Sequence, residues 1–329
     1  MSAAAGTRLL QVEGLVKHFP ARGAQRQRGS VVHAVDGVSF EIRAGETLGL
    51  VGETGCGKST VARLVTRLLE PTSGRIELEG NDITHWSRRR MRPLRRDVQI
   101  VFQDPYSSLN PRRRVGSIVE APLRAHRMGS RAERRSRVAE VLRLVGLDPA
   151  HADRYPHQFS GGQRQRIGVA RAIVTNPTLV VADEPVSALD VSIQAQVLNL
   201  IDDLRKEFGL ALLFISHDVS VVRHVSDRIA VMYLGKIVEV AETERLFAAP
   251  VHPYSAGLLA AVPLARVGGQ RRARVAVRGE PPSPLDPPSG CRFRTRCPYA
   301  QQLCAEVEPP LEARNGSLAA CHFPLAGSD

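Results

Sequence analysis

Three glycines, Gly52, Gly55 and Gly57, are spaced ahead of a lysine and a serine in the run Gly52-Glu53-Thr54-Gly55-Cys56-Gly57-Lys58-Ser59. Glycines at these intervals let backbone N–H groups approach an anion with no Cβ in the way. A helix opening at the lysine adds the partial positive charge of its N-terminus. This is chemistry for the phosphates of a nucleotide. Lys58 is set to reach the β- and γ-phosphates, the Ser59 hydroxyl to ligate Mg²⁺, and Thr60 to meet the α-phosphate. A second constellation is Val180-Val181-Ala182-Asp183-Glu184, where an apolar run ends in two carboxylates. Asp183 would hold Mg²⁺, directly or through water, and Glu184 would orient and deprotonate an attacking water. The third, Phe159-Ser160-Gly161-Gly162-Gln163, opens another helix and so another anion-binding terminus, one that the chain's own phosphate loop does not require.

These groups need strands and helices to hold them. Residues 45–51 form an apolar run that feeds directly into the glycine loop, and the helix after it, from about 57 to 69, stops before Pro71. Residues 31–42 alternate like a strand. The carboxylate pair ends a strand over 178–182, and Val197, Leu198, Ile201, Leu204 and Phe208 line one face of a helix over 190–208. Strands over 210–216 and 228–233 follow, and Gly235 turns the chain back into 237–240. Between 104 and 156, Pro105, Asn110, Pro111 and Pro122 mark turns, and two helical patterns flank the arginines around Arg135, which predicts a mostly helical insert. Strands alternating with helices imply an α/β fold with a largely parallel sheet covered on both faces. After about residue 245 the pattern ends, and Pro281 to Pro288 reads as a stiff connector.

The 329 residues allow one or two domains, and 43% hydrophobic content is enough for a substantial core. Aromatics are only 5%, so aliphatic side chains must fill it. No apolar run approaches the roughly 18 to 20 residues of a membrane span. The opening residues lack a hydrophobic signal region, which predicts a cytoplasmic chain whose membrane role comes through partners. The net charge of +12 gathers at Arg88 to Arg90, Arg95-Arg96, Arg112 to Arg114 and Arg131 to Arg137. Such clusters suit nucleic acid, an anionic membrane or acidic loops of a partner, and equally a solvated arginine-rich face. Charge alone does not choose. Four of the five cysteines, Cys291, Cys297, Cys304 and Cys321, crowd the C-terminal tail, where a cytosolic setting favours metal or cluster ligation over disulfides. Cys56 stands alone in the phosphate loop as a small residue, and a helix terminus there would lower its thiol pKa.

Taken in order, the signature at Ser160, Gly161, Gly162 and Gln163, Gln103 after the strand 98–102, Ser187-Ala188-Leu189-Asp190 and His217 resemble the signature, Q-loop, D-loop and switch histidine of ABC transporter ATPases. The resemblance implies an ABC-type P-loop ATPase over residues 8–245, with a mainly parallel core sheet, an antiparallel β subdomain and a helical subdomain at about 104–165. A small cysteine-containing C-terminal extension covers 246–329. It implies that Gln103 senses Mg²⁺ and the attacking water and couples to membrane subunits, that Asp190 lines a dimer interface, and that His217 contacts the γ-phosphate. It also implies that the signature closes over ATP held by an opposing cassette. Phe159 replaces the family's usual leucine, and Phe19 stands where an adenine-stacking aromatic is expected, followed by an insertion of about a dozen residues.

The stretches 101–111, 155–166 and 252–255, and the tail from 290 to 324, are similar to ATPase subunits of the dipeptide and oligopeptide importer group. That likeness implies two membrane permeases, a second ATPase subunit (a sister or an identical copy), an extracytoplasmic solute-binding protein, and a peripheral place on the cytoplasmic face of the membrane. It further implies a [4Fe-4S] cluster on the four tail cysteines, with Zn²⁺ as the alternative and free thiols as a third state. His322 reads as a surface residue. The rival function is a soluble ABC ATPase acting on nucleic acid or ribosomes.

Overall fold

A computed structural model describes residues 6–21, 30–104, 108–260, 277 and 279–325. The turn expected at Pro105, most of the insertion after Phe19 and part of the segment before the proline connector lie outside the described residues.

Two sheets carry the molecule. Strands β1 (Arg8–Pro20), β2 (Val31–Arg43), β4 (Ser73–Leu78) and β5 (Asn81–Asp82) form an antiparallel sheet in the order β2-β1-β4-β5. The larger sheet runs in the order β11 (Glu312–Arg314), β12 (Ser317–Ala319), β10 (Lys236–Glu242), β9 (Arg228–Tyr233), β3 (Thr47–Val51), β8 (Ala211–Ser216), β7 (Leu179–Asp183), β6 (Val98–Val101). Its centre is parallel, made of β6, β7, β8, β3 and β9. Then β10 turns back antiparallel on β9.

The central strands are continuous apolar runs because both of their faces are covered. In β8, Leu212 and Phe214 face one hydrophobic core while Ala211, Leu213 and Ile215 face the other. The first core is capped by the helices Val115–Ala125, Arg131–Leu144 and Gly161–Ile173, the second by the antiparallel sheet and the helix Lys58–Val65. Ser130 and Glu133 close a capping box on Arg131–Leu144, which sets where that arginine-rich helix begins. Several of the clustered arginines are paired: Arg134 with Glu120, Arg137 with Glu140, Arg114 with Asp153 and Arg96 with Asp97. Among the described residues, no helix is long and apolar enough to cross a membrane.

The regular pattern does not stop at 245. Helices Thr243–Ala248 and Pro253–Ala260 follow, and the tail returns as β11 (Glu312–Arg314) and β12 (Ser317–Ala319), which extend the main sheet. Glu239 and Val240 of β10 pair with Ala319 and Leu318. Strands of three residues have no readable period, so only the sheet edge offered by β10 reveals them. Aromatics also do more packing than their 5% share suggested, since Tyr233, Tyr254, Phe214 and Phe293 are among the largest fully buried side chains.

Candidate functional site

The phosphate loop bridges the end of β3 and the first turn of Lys58–Val65. Gly52 and Gly57 have φ of 157° and 111°. A Cβ on Gly52 would stand 2.1 Å from the Met232 carbonyl oxygen, and one on Gly57 would stand 2.0 Å from that of Ala34. Both positions therefore require glycine for space as well as for conformation. Gly55, at the apex, faces open space. Lys58 is buried, and its ammonium donates to the carbonyls of Gly52 at 2.8 Å and Glu53 at 3.0 Å, so it is already folded over the mouth of the loop.

Ser59 and Asp183 come together from elements 124 residues apart, with the hydroxyl donating to the carboxylate across 2.9 Å. Burial pushes the Asp183 carboxyl up from its ordinary range, the Ser59 hydrogen bond lowers it, and the neighbouring Glu184 raises it. A hydroxyl and a carboxylate are hard oxygen donors, the kind that Mg²⁺ takes.

Glu184 follows β7 in a left-handed backbone conformation, φ 47°, and its N–H donates to the Ile215 carbonyl at 2.9 Å. That conformation costs on the order of 1–3 kcal/mol for a side-chain-bearing residue and persists where surroundings hold it. One oxygen of its carboxylate accepts from the Gln103 amide at 2.9 Å and lies 3.2 Å from Nδ1 of His217. Gln103 after β6, Glu184 after β7 and His217 after β8 thus meet at the carboxyl ends of three adjacent parallel strands.

The remaining predicted residues lie in two other places. Ser160 caps the helix Gly161–Ile173 and shares a capping box with Gln163. Asp190 caps the helix Val191–Phe208 by accepting from the Ile193 N–H. These two caps are in contact: Leu189 lies beside Gly161, and Gly162 packs so tightly on Ile193 that a Cβ would fall 2.3 Å from its methyl. Thr54 is exposed, and Thr60 sits in the first turn of the loop's helix. Phe19 is half-buried on β1, with the Lys17 ammonium 5.2 Å from its ring centroid.

Cys56 departs from expectation. It is 5% exposed, and burial pushes its thiol up while Lys58 pulls it down, so the helix terminus does not make it reactive. In the tail, burial and neighbouring thiols push Cys291 up to about 11 and Cys321 up to about 12, and Cys297 is raised as well. The four cysteines lie near enough to act on one another electrostatically. His322 bonds the Val307 carbonyl at 2.9 Å.

Sequence reading passed over the groups that reach the loop from the C-terminal region. Tyr254 Oη accepts from the Glu53 N–H at 3.1 Å, and Arg296 grips the Glu53 carboxylate. A second arginine of the tail, Arg292, pairs with Asp36. Asp36 also forms, with His18 and His33, the one group of three metal-capable side chains within 4.8 Å of one another among the described residues.

The ABC transporter family profile matches residues 35–187, and the profile for the oligopeptide/dipeptide transporter C-terminal region matches 238–304. The chain is 52% identical over 328 residues to the oligopeptide transport ATP-binding protein AppF of Bacillus subtilis, spanning 98% of this chain and 99% of that one. It is 52% identical over 316 residues to the probable peptide ABC transporter ATP-binding protein y4tS of Sinorhizobium fredii, spanning 95% and 89%. Among solved structures, it superposes with a TM-score of 0.64 and 28% identity on the dimeric post-hydrolysis state of the ATP-binding cassette MJ0796 bound to ADP and Pi, covering 71% of this chain and 99% of that one. The chain belongs to the ABC transporter family, as an ATP-hydrolysing, ATP-binding subunit of the oligopeptide/dipeptide importer group.

Proposed function

We propose that this subunit energises import of dipeptides, oligopeptides or a related solute by ATP-driven closure of two cassettes on the cytoplasmic face of a membrane. Its partners are two permeases, a second ATPase subunit of sister type and, through the assembled transporter, an extracytoplasmic solute-binding protein. The observation that carries this reading is the meeting of Gln103, Glu184 and His217 beside Ser59, Asp183 and the phosphate loop.

Residues 52–60 bind the phosphates, and Ser59, Asp183 and Gln103 supply the oxygens for Mg²⁺, which draws charge off the phosphates when bound. Glu184 takes the proton of the attacking water while Gln103 and His217 orient its carboxylate, and His217 turns to the γ-phosphate. Ser160 to Gln163 and Asp190 face the opposing cassette, so nucleotide acts as glue between two copies of the fold and hydrolysis dissolves it. Phe19 stacks on the adenine. The relatives named above support transport rather than action on nucleic acid.

Cys291, Cys297, Cys304 and Cys321 hold a [4Fe-4S] cluster that staples the tail. The four thiols are near enough to act on one another, and four soft sulfur ligands in a short segment suit such a cluster, with zinc as the alternative. Iron and acid-labile sulfide in anaerobically purified protein test the cluster, and zinc in their place refutes it. For transport, the chain is purified with its membrane partners and assayed for ATP-dependent peptide uptake into vesicles. Uptake that persists after Lys58→Ala rejects the proposal.

A further inference from the structure

We propose that Arg296 is a positioning residue of the ATP site: carried by the cysteine-containing tail, it grips Glu53 and so holds the phosphate loop in the conformation that takes up ATP. Glu53 follows the first glycine of that loop, and the two residues are 243 positions apart. The guanidinium makes two bonds to the carboxylate, Nη1 to Oε2 at 2.8 Å and Nη2 to Oε1 at 3.1 Å. Planar pairs of this kind fix orientation as well as distance. The Arg296 side chain is 8% exposed, and its Nη1 also lies 3.5 Å from the Tyr233 hydroxyl.

Glu53 is held a second time through its backbone. Its N–H donates to Tyr254 Oη, and the Tyr254 ring packs in a cluster with Tyr233 and Phe293. Phe293 and Arg296 belong to the same tail turn, closed by the Arg296 N–H on the Phe293 carbonyl. Side chain and main chain of one loop residue are therefore both tied to the C-terminal region.

Lys58 and the Cys56 N–H also bond the Glu53 carbonyl from within the loop, but Arg296 alone holds its carboxylate among the bonds described, and the tip itself stands open. Thr54 and Gly55 are exposed, a Cβ on Gly55 would meet nothing within 4 Å, and a cleft of roughly 190 Å³ separates Glu53 to Cys56 from Pro281, Pro282 and Pro284. A loop freed from its clamp must be ordered by the nucleotide at the expense of affinity. Charge acts in the same direction. Without Arg296, the Glu53 carboxylate would stand uncompensated beside the place where a triphosphate binds.

The inference rests on the ATP-binding reading of the loop, and the test separates the two. Full-length wild type, Arg296→Gln, Arg296→Lys and the double variant Glu53→Gln/Arg296→Gln are compared for Mg-ATP binding, KM, kcat and melting temperature. Arg296→Gln is expected to raise Kd and KM by about tenfold, within the usual span of coupling between two sites. Its kcat stays near wild type, the signature of lost uniform binding. Arg296→Lys recovers part of the affinity, because it keeps the charge and loses the fork. The double variant binds ATP more tightly than Arg296→Gln, since it removes the stranded carboxylate. An unshifted Kd in Arg296→Gln overturns the proposal. So does an equal fall in kcat and melting temperature that neither Lys nor the double variant relieves. A wild type that binds no ATP refutes the nucleotide site itself.

Discussion

The Ser59 hydroxyl donates to the Asp183 carboxylate across 2.9 Å, joining the first turn after the phosphate loop to the end of β7. Both oxygens would turn to Mg²⁺ in the loaded site. Asp183→Asn is expected to raise the Mg²⁺ concentration for half-maximal hydrolysis by about ten- to a hundredfold. A magnesium titration of steady-state phosphate release measures it, and an unchanged midpoint removes Asp183 from the metal.

Glu184 is the next carboxylate along, and Gln103 and His217 converge on one of its oxygens. Glu184→Gln keeps the shape and loses the base, so kcat should fall by about 10²–10⁴. ATP affinity should survive, and size-exclusion chromatography with ATP should show paired cassettes, given the natural partner if the pair is of sister type. Normal turnover in that variant would take Glu184 out of its role.

Gly162 presses on Ile193 across the seam between the signature helix and the helix capped by Asp190. Gly162→Ala puts a methyl 2.3 Å from the Ile193 branch. Overpacking of this kind costs about 1–3 kcal/mol. The melting temperature should drop, hydrolysis should weaken, and Ile193→Ala added to the same chain should restore both. Failure of that rescue means the glycine is needed for another reason.

His252 is fully buried, and burial lowers its pKa from 6.5 to about 3. The unfolded chain therefore protonates first as pH falls. The stability this neutral imidazole secures is present above pH 6.5 and is lost as pH drops towards 3, by up to about 1.4 kcal/mol per unit. Glu239, which accepts from the Val251 and His252 N–H groups, has its carboxyl raised by burial and responds in the opposite sense. Comparing wild type with His252→Gln keeps Glu239 common to both. Between neutral pH and about pH 5 the wild type should lose about 2 kcal/mol more than the variant in denaturant titrations. Equal losses would mean that the imidazole takes up its proton in the fold as readily as in the unfolded chain.

Much of this was legible in the chain because it is local or strictly periodic. The glycine loop needs consecutive residues, the parallel strands read as apolar runs, and Val197, Leu198, Ile201 and Leu204 mark a helical face that the structure buries. The order of Gln103, Ser160, Glu184, Asp190 and His217 named a family before any contact was known, and the family is the one found. Packing decided the rest. Burial, not the helix terminus, sets the Cys56 thiol, and three-residue strands in the tail exist because β10 leaves an edge to pair with. Arg296 reaches Glu53 only because the tail folds back over β9 and β10, and no short-range pattern encodes a pairing between residues 243 positions apart. Sequence determines what each segment can do alone, while long-range contacts depend on which surfaces the folded chain brings together.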